Sequence, residues 1–275
     1  MDSKLPKISI IIPCYNNQNT IIETIQSVIN QDYKNIEIVV VNDGSIDDSQ
    51  KVINEFISDK DNAILINKIN EGPSIARNTG VDNASGEFIV FLDGDDIIAK
   101  TFLSSCYKIF ENDKNINIVY TDAEFFGAKS GKWILPDFEL RSFLIQNCIP
   151  ITAMLKRSVF NEVGQFDTNL KYTEDWELWI RIIKKYAGVF KINETLFFYR
   201  KHENKSSLTD NVDVEKEEKI LLYIYQKHYD LYKSNGYGIK LLFEEHKYKK
   251  KYYNIWYKKL FYSIKGKNIN YLILI

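Results

Sequence analysis

The stretch Glu87-Phe88-Ile89-Val90-Phe91-Leu92-Asp93-Gly94-Asp95-Asp96 constrains the fold most. Five apolar residues, aromatic and β-branched, run without a break into three carboxylates and a glycine. Such a run predicts a strand buried on both faces, and strands of that kind belong to parallel sheets covered by helices. Three acids at one strand end repel each other unless something cationic sits between them. A divalent cation holding an anionic ligand is the economical answer, because hard cations take oxygen ligands. In open α/β sheets ligands bind beyond the carboxyl ends of the strands. The bland alternative is an acidic solvated turn, since Asp and Gly are ordinary turn residues.

The chain before this stretch repeats one pattern. Ile8 to Ile12 predicts a buried strand stopped by Pro13, followed by the loop Cys14-Tyr15-Asn16-Asn17. Thr20 and Glu23 have the spacing of a capping box, opening a helix through Ile25, Val28 and Ile29. Ile36 to Val41 predicts a second strand, ending at Asn42-Asp43-Gly44-Ser45. Asp47 or Asp48 would cap the next helix, through Val52, Ile53, Phe56 and Ile57. Ala63 to Ile66 reads as a third strand, and Ser74 to Asn83 as a short helix after the turn Asn70-Glu71-Gly72-Pro73. Strand–helix alternation of this kind predicts an α/β fold with a mainly parallel, doubly wound sheet and helices on both faces.

After Asp96 the regularity fades. Leu103 to Glu111 reads as a helix, Asn117 to Ala123 as a strand, Phe125 to Pro136 as a hairpin or mobile loop, and Phe138 to Ile145 as helical. Thr173-Glu174-Asp175 precedes a helix from Trp176 to Tyr186, and Val189 to Arg200 closes the pattern as a strand. From about Asp213 the text changes to Lys, Glu and Tyr at helical spacing. The expected division is therefore 1–210 for the sheet domain and 211–275 for a helical, basic and aromatic appendage.

Charge and cysteine usage narrow the classes. Net charge is −1, so the whole chain says nothing about partners, but nine lysines and two glutamates lie between Lys240 and Lys267, interleaved with Tyr and Trp. A basic aromatic helix suits an anionic membrane surface, or its tyrosines pack on the main domain; nucleic acid ranks below both. Cys14, Cys106 and Cys148 are scattered without metal-type spacing, which predicts a reducing compartment. With no signal-like or spanning apolar segment, the expectation is a cytoplasmic protein, peripheral at the inner face of the plasma membrane if the tail binds there.

Four passages in order, joined by two more, resemble family 2 glycosyltransferases, inverting enzymes of the GT-A fold that use nucleotide sugars. They are Ile8-Ser9-Ile10-Ile11-Ile12-Pro13-Cys14-Tyr15-Asn16, then Val39-Val40-Val41-Asn42-Asp43-Gly44-Ser45, then Asn70-Glu71-Gly72-Pro73-Ser74-Ile75-Ala76-Arg77-Asn78-Thr79-Gly80, and the acidic strand itself. Thr173-Glu174-Asp175 before Trp176 and Tyr199-Arg200-Lys201-His202 agree. No single motif is specific; six in family-like order are. The resemblance covers roughly Lys7 to Ser207.

The resemblance implies a role for each site residue. Asp95 matches the metal-ligating acid of a DxD motif, Asp93-Gly94-Asp95, with Asp93 facing the ribose or sharing the metal's surroundings. Asp96 is either a supporting acid or the ligand itself. Gly94 would let the backbone pass close to the ligand. Mn²⁺ or Mg²⁺ would bridge the two phosphates of a UDP-sugar, and His202 would complete the coordination; imidazole beside carboxylate suits Mn²⁺ better. Asp43 matches the base-recognising aspartate, which accepts the uracil ring N–H. Tyr15 would stack on that ring, with Pro13 and Asn16 shaping the same wall. Arg77 would pair with the diphosphate or with one of the acids. Asp175 matches the general base, with Glu174 as second candidate. The other reading of both acids is that they are helix N-terminal charges favoured by the helix dipole. Trp176 and Trp179 offer a ring to a sugar or pack in the core.

Function follows as an expectation: transfer from a UDP-sugar to a glycan or lipid-linked saccharide acceptor in bacterial surface polysaccharide synthesis. Two other classes compete. A sugar nucleotidyltransferase would carry a glycine-rich basic loop where this chain has Pro13-Cys14-Tyr15-Asn16-Asn17. A non-catalytic nucleotide- or glycan-binding module would not need Asp93, Asp95 and Asp175 together.

Overall fold

The computed structural model describes residues 5–203 and 213–241. Contacts divide the chain into two compact units, Met1–Ile224 and Tyr225–Ile275. The first unit opens with three strand–helix steps and a fourth strand. Strand β1 spans Ile8–Cys14, α1 Ile21–Ile29, β2 Ile36–Asp43, α2 Ser49–Ile57, β3 Ala63–Lys68, α3 Pro73–Asp82 and β4 Phe88–Phe91. There follow β5 (Ile97–Ile98), α4 (Phe102–Asn112), β6 (Ile118–Gly127), β7 (Gly131–Trp133), α5 (Leu140–Phe143), β8 (Met154–Lys156), α6 (Arg157–Val163), α7 (Glu174–Tyr186) and β9 (Val189–Lys201). Helix α8 (Val214–Lys227) and helix α9 (Tyr229–Ser234) come last. Within the second unit, the Tyr225 ring packs edge-on against Tyr229 and Tyr232, and its hydroxyl donates to the Tyr237 carbonyl.

The strands form one sheet in the order β3-β2-β1-β4-β8-β6-β9-β5, with β7 hairpinned onto β6. Pairing is parallel from β3 to β4, antiparallel where β8 lies between β4 and β6, and parallel again between β6 and β9. This is the expected α/β architecture, with a mixed half added. Even-numbered residues of β1 (Ile8, Ile10, Ile12) join Ile38, Val40 and Val90 under α1, α2 and α4. On the other face Phe91 packs against Phe160 of α6 and against Phe166. Strand β1 pairs with both β2 and β4, so the chain reverses its winding direction there. The crevice beyond the β1 and β4 ends is therefore the place a ligand is expected.

Three local expectations change. Pro13 does not stop β1, which continues to Cys14 with Pro13 opposite Val41. The Ile11 carbonyl accepts from Leu92 N, so odd residues of β1 face β4; the β1–β4 register ends at Phe91, and Pro13 leaves no ladder donor missing. The capping box at Thr20 is not formed. Thr20 Oγ1 donates instead to the Gly94 carbonyl (3.1 Å), and Glu23 pairs with Arg200. Strands β5 and β8, of two and three residues, gave no sequence signal.

Candidate active site

At the β2 end, Asp43 is 4% exposed and both its oxygens are engaged. Oδ1 accepts from Lys68 Nζ (2.7 Å) and Glu71 N (3.0 Å), and Oδ2 from Gly72 N (2.8 Å). Asp43 thus ties down the turn that starts α3, and three of its roughly four acceptor positions are taken. Gly44 follows at φ +71°, where a Cβ would meet Asn70 N at 2.7 Å. Beyond β1, Tyr15 is 48% exposed beside that edge. Asn16 adopts φ +56°, which Asn tolerates, and its Oδ1 accepts from Ile46 N while its own N–H donates to Ser45 Oγ.

The β4 end carries the acids. Gly94 is needed by the protein itself, because a Cβ there would lie 3.0 Å from both the Pro13 carbonyl and Asn17 Oδ1. Asp93 points to Arg77, whose Nη2 donates to Asp93 Oδ1 at 2.6 Å; Arg77 Nη1 donates to Glu174 Oε1 at 2.5 Å. Arg77, only 4% exposed, is thereby committed to two acids rather than to open space. Asp95 Oδ2 sits 2.7 Å from His202 Nε2. Burial, and then the Asp93 charge, raise the Asp95 carboxyl above its ordinary value, with His202 opposing.

Asp96 turns the other way. It is 1% exposed, its Oδ1 accepts from Arg200 N (2.8 Å), and its Oδ2 has no hydrogen-bond partner among the described residues. Burial, then the Asp95 and Asp93 charges, hold it well above the usual carboxylate range. Of the two roles left open for Asp96, this placement favours support: it ties the acidic turn to β9. Arg200 completes the tie by donating from Nε to the Asp95 carbonyl (2.6 Å).

Helix α7 starts at Glu174, after Thr173 in the left-handed region at φ +56°. A β-branched residue there is strained, a condition that clusters at functional sites. Asp175 Oδ1 accepts from Trp176 N (2.7 Å) and Oδ2 from Asn147 Nδ2 (3.2 Å). Burial, then the Glu174 charge, push the Asp175 carboxyl up to about 7, against the pull of the Trp176 N–H and Arg77. Both tryptophans are core residues: Trp176 Nε1 donates to the Phe143 carbonyl and Trp179 Nε1 to the Ile149 carbonyl.

One continuous run of contacts therefore joins Asp175's neighbour Glu174 through Arg77 to Asp93, two residues from the Asp95–His202 pair. Pro13, Tyr15, Asn16 and Asp43 line the adjoining β1–β2 edge. Sequence reasoning missed Lys68, Arg200, Glu23 and Asn147. Lys68 stands opposite Asp43 in the β2–β3 register, so the strand alignment carried that signal; nothing marked Asn147. A divalent cation fits the site on its donor set. A carboxylate and an imidazole already share one position, burial and then the Asp93 charge hold the Asp95 carboxyl above its ordinary value, and an oxygen of Asp96 has no hydrogen-bond partner among the described residues. No group of three or more protein ligands is assembled among the described residues, so substrate phosphates or water would supply the remainder.

Comparison with known proteins places the chain in a family and a fold. The family model described as glycosyl transferase family 2 matches residues 9–164. The minor teichoic acid biosynthesis protein GgaA of Bacillus subtilis (strain 168) is 33% identical over 222 residues, 74% of this chain. The chain spans about half of that relative, 49% of its length. The UDP-Glc:alpha-D-GlcNAc-diphosphoundecaprenol beta-1,3-glucosyltransferase WfgD of Escherichia coli is 34% identical over 209 residues, covering 74% of this chain and 80% of that one. Among solved structures, S. aureus TarS 1-349 in complex with UDP-GlcNAc superposes with a TM-score of 0.63 at 22% identity, over 84% of this chain and 75% of that one. That likeness is one of fold.

Proposed function

This chain belongs to glycosyl transferase family 2, and we propose that it transfers a sugar, with inversion, from a UDP-sugar to a glycan or lipid-linked saccharide in bacterial cell-surface polysaccharide synthesis. The observation that carries the reading is the run Glu174–Arg77–Asp93, buried at Arg77 and Glu174, with Asp175 next to Glu174. It fixes an acid that titrates near neutrality against the acidic end of β4.

In this reading the nucleoside lies over the β1–β2 edge, between Tyr15, Pro13 and Asn16, with Asp43 accepting the uracil ring N–H at its remaining lone pair. Asp93 would face the ribose or share the metal's surroundings, and Gly94 would let the backbone pass close to the ligand. Asp95 and His202 would hold Mn²⁺ or Mg²⁺, with Asp96 supporting the turn from beneath. Such a cation supplies charge stabilisation for the departing diphosphate. Asp175 takes the proton of the acceptor hydroxyl as that oxygen bonds to the anomeric carbon, and the bond to the diphosphate oxygen breaks on the opposite side. A base titrating near 7 is matched to this task, because about half of it is ionised at neutral pH and it is still basic enough to accept the proton. Glu174 is bound to Arg77 and serves as the link, not the base. The lipid-linked acceptor draws support from the WfgD relative, and the basic run Lys240–Lys267 suits an anionic membrane surface. Most of that run lies outside the described residues. Among the described residues no helix is long and apolar enough to cross a membrane.

The test is UDP release across a panel of UDP-sugars, with Mn²⁺ or with EDTA, for the wild type, Asp95→Ala and Asp175→Asn. Metal-dependent release with one sugar, lost in Asp95→Ala, is expected. Asp175→Asn should bind UDP normally and lose transfer to acceptor. UDP binding without release or transfer under any condition would replace the enzyme by a binding module.

A further inference from the structure

Helix α7 sends three side chains to one short segment, residues 143–149. Trp176 Nε1 donates to the Phe143 carbonyl (3.0 Å) and Trp179 Nε1 to the Ile149 carbonyl (3.2 Å), on either side of Asn147. Trp179 lies three residues from Trp176 and four from Asp175, so it shares a helix face with each. The two tryptophans are buried, and their N–H groups hold the backbone of this segment at Phe143 and at Ile149. The Asn147 amide is then oriented by its own oxygen, which accepts from Ile149 N at 3.0 Å; its NH₂ group is left to donate to Asp175 Oδ2 at 3.2 Å.

We infer that Asn147 is a positioning residue for Asp175, which it aims and keeps ionised from a segment clamped by Trp176 and Trp179. The inference rests on the reading of Asp175 as the base. Each carboxylate oxygen has one protein donor: Oδ1 takes the Trp176 N–H of its own helix, and Oδ2 takes Asn147. With both donors in place the carboxylate plane is fixed, and one lone pair on each oxygen stays open for an acceptor hydroxyl. Both donors favour the charged form. Burial and Glu174 of the same helix push the Asp175 value up, with the Trp176 N–H and Arg77 of α3 pulling it down and Asp93 after β4 opposing them; the Asn147 amide adds a donor on Oδ2. On the 143–149 segment the titratable group is Cys148, which is buried and lies against the Tyr120 hydroxyl.

A packing residue and a positioning residue differ in what pH does to their loss. Removing the Asn147 donor should move the acid limb of kcat to higher pH by about one unit, the size of a modest hydrogen bond to a charged group. The experiment measures kcat and donor KM from pH 5.5 to 9.5 for the full chain, Asn147→Ala, Asn147→Gln and Asn147→Asp, with Asp175→Asn alongside. For Asn147→Ala, kcat should fall about tenfold at pH 6 but less than about threefold at pH 9, with donor KM within about twofold. Asn147→Gln should restore part of the limb, and Asn147→Asp, of the same shape but acidic, should move it further. A loss equal at every pH, or an unmoved limb in both Asn147→Ala and Asn147→Asp, overturns the inference. If Asn147→Ala folds poorly by its melting temperature, Asn147→Asp reads the same limb. Full transfer activity in Asp175→Asn would instead overturn the base reading beneath it.

Discussion

Replacing Arg77 by Met, which has a similar length and no charge, tests whether the central run of contacts holds the site together. The guanidinium is 5% exposed and pairs at 2.5 Å with Glu174 and at 2.6 Å with Asp93, whose side chains are 10% and 30% exposed. Removing one partner of a buried ion pair costs about 3–5 kcal/mol, because the remaining charge is left without compensation. Water reaches Asp93 more easily than Glu174, which places the expected loss at the lower end, about 3 kcal/mol. For a unit of this size each kcal/mol moves Tm by about 2–4 °C, so Arg77→Met should melt about 6–12 °C lower at pH 7.

Two companions sharpen the test. Arg77→Lys keeps the charge but cannot reach both acids with a planar fork, so it should recover only part of the loss. Arg77→Met combined with Glu174→Gln removes the stranded charge and should be less destabilised than the sum of the singles, by about 1–3 kcal/mol. The assay is thermal and urea unfolding followed by circular dichroism, with midpoints compared at constant urea slope. An Arg77→Met melting point within about 2 °C of wild type would refute the reasoning, and so would strict additivity of the pair.

Other consequences are direct. With Asp175 as the proposed base, its carboxyl pushed up to about 7, the rate of transfer should fall as pH drops below about 7; a flat kcat profile between pH 5.5 and 8 would contradict this. The same raised value means the ionised carboxyl opposes folding above its unfolded value near 4 and ceases to do so below it. Asp175→Asn should therefore melt higher than wild type at pH 8, with a gain that shrinks towards pH 4. Gly80→Ala places a Cβ 2.3 Å from Ile11 Cγ2, beneath α3 on β1, and should cost about 1–3 kcal/mol in urea unfolding without changing the pH profile. Changing Lys249, Lys250 and Lys251 to Glu should weaken co-sedimentation with anionic vesicles by about 3 kcal/mol or more at low salt, on about 1 kcal/mol per basic residue near the surface; unchanged binding removes the membrane reading.

What could be read in advance follows from how local each decision is. Each βα unit of the first half is settled within some thirty residues, so apolar runs such as Ile36–Val41 and Phe88–Leu92 located their strands to within two residues. The ends were less legible, because Pro13 and Asp43 belong to strands only through their neighbours' register. Strand β8 has three residues and exists because β4 and β6 both pair with it; no periodicity marks so short a piece. The acids of the site stood out because like charges at a strand end demand an explanation. Their separate fates did not. Asp96 is fixed by a backbone N–H of Arg200, and Asp93 by Arg77 of α3, which are tertiary facts. Asn147 was invisible for the same reason: its partner is 28 residues away on an element it does not adjoin in sequence.

The two meanings of Glu174 and Asp175 can be separated by size. An acid placed in the first turn of a helix only to please its dipole is stabilised in its charged form, by about 0.3–1 kcal/mol, which lowers its pKa by less than one unit. Asp175 departs in the opposite direction, from 3.8 to about 7, a shift of order 4 kcal/mol against the charge. The dipole and the Trp176 N–H are thus outweighed by burial and by Glu174. Glu174 in turn stays beside Asp175 because Arg77 holds it. A helix that needed only a terminal charge would have put the carboxylate in water. This one begins at a strained Thr173, buries one acid on an arginine, and leaves the next at neutral pKa beside an amide donor. That arrangement costs folding energy, and the proposed role of Asp175 as a proton acceptor near neutrality would account for the cost.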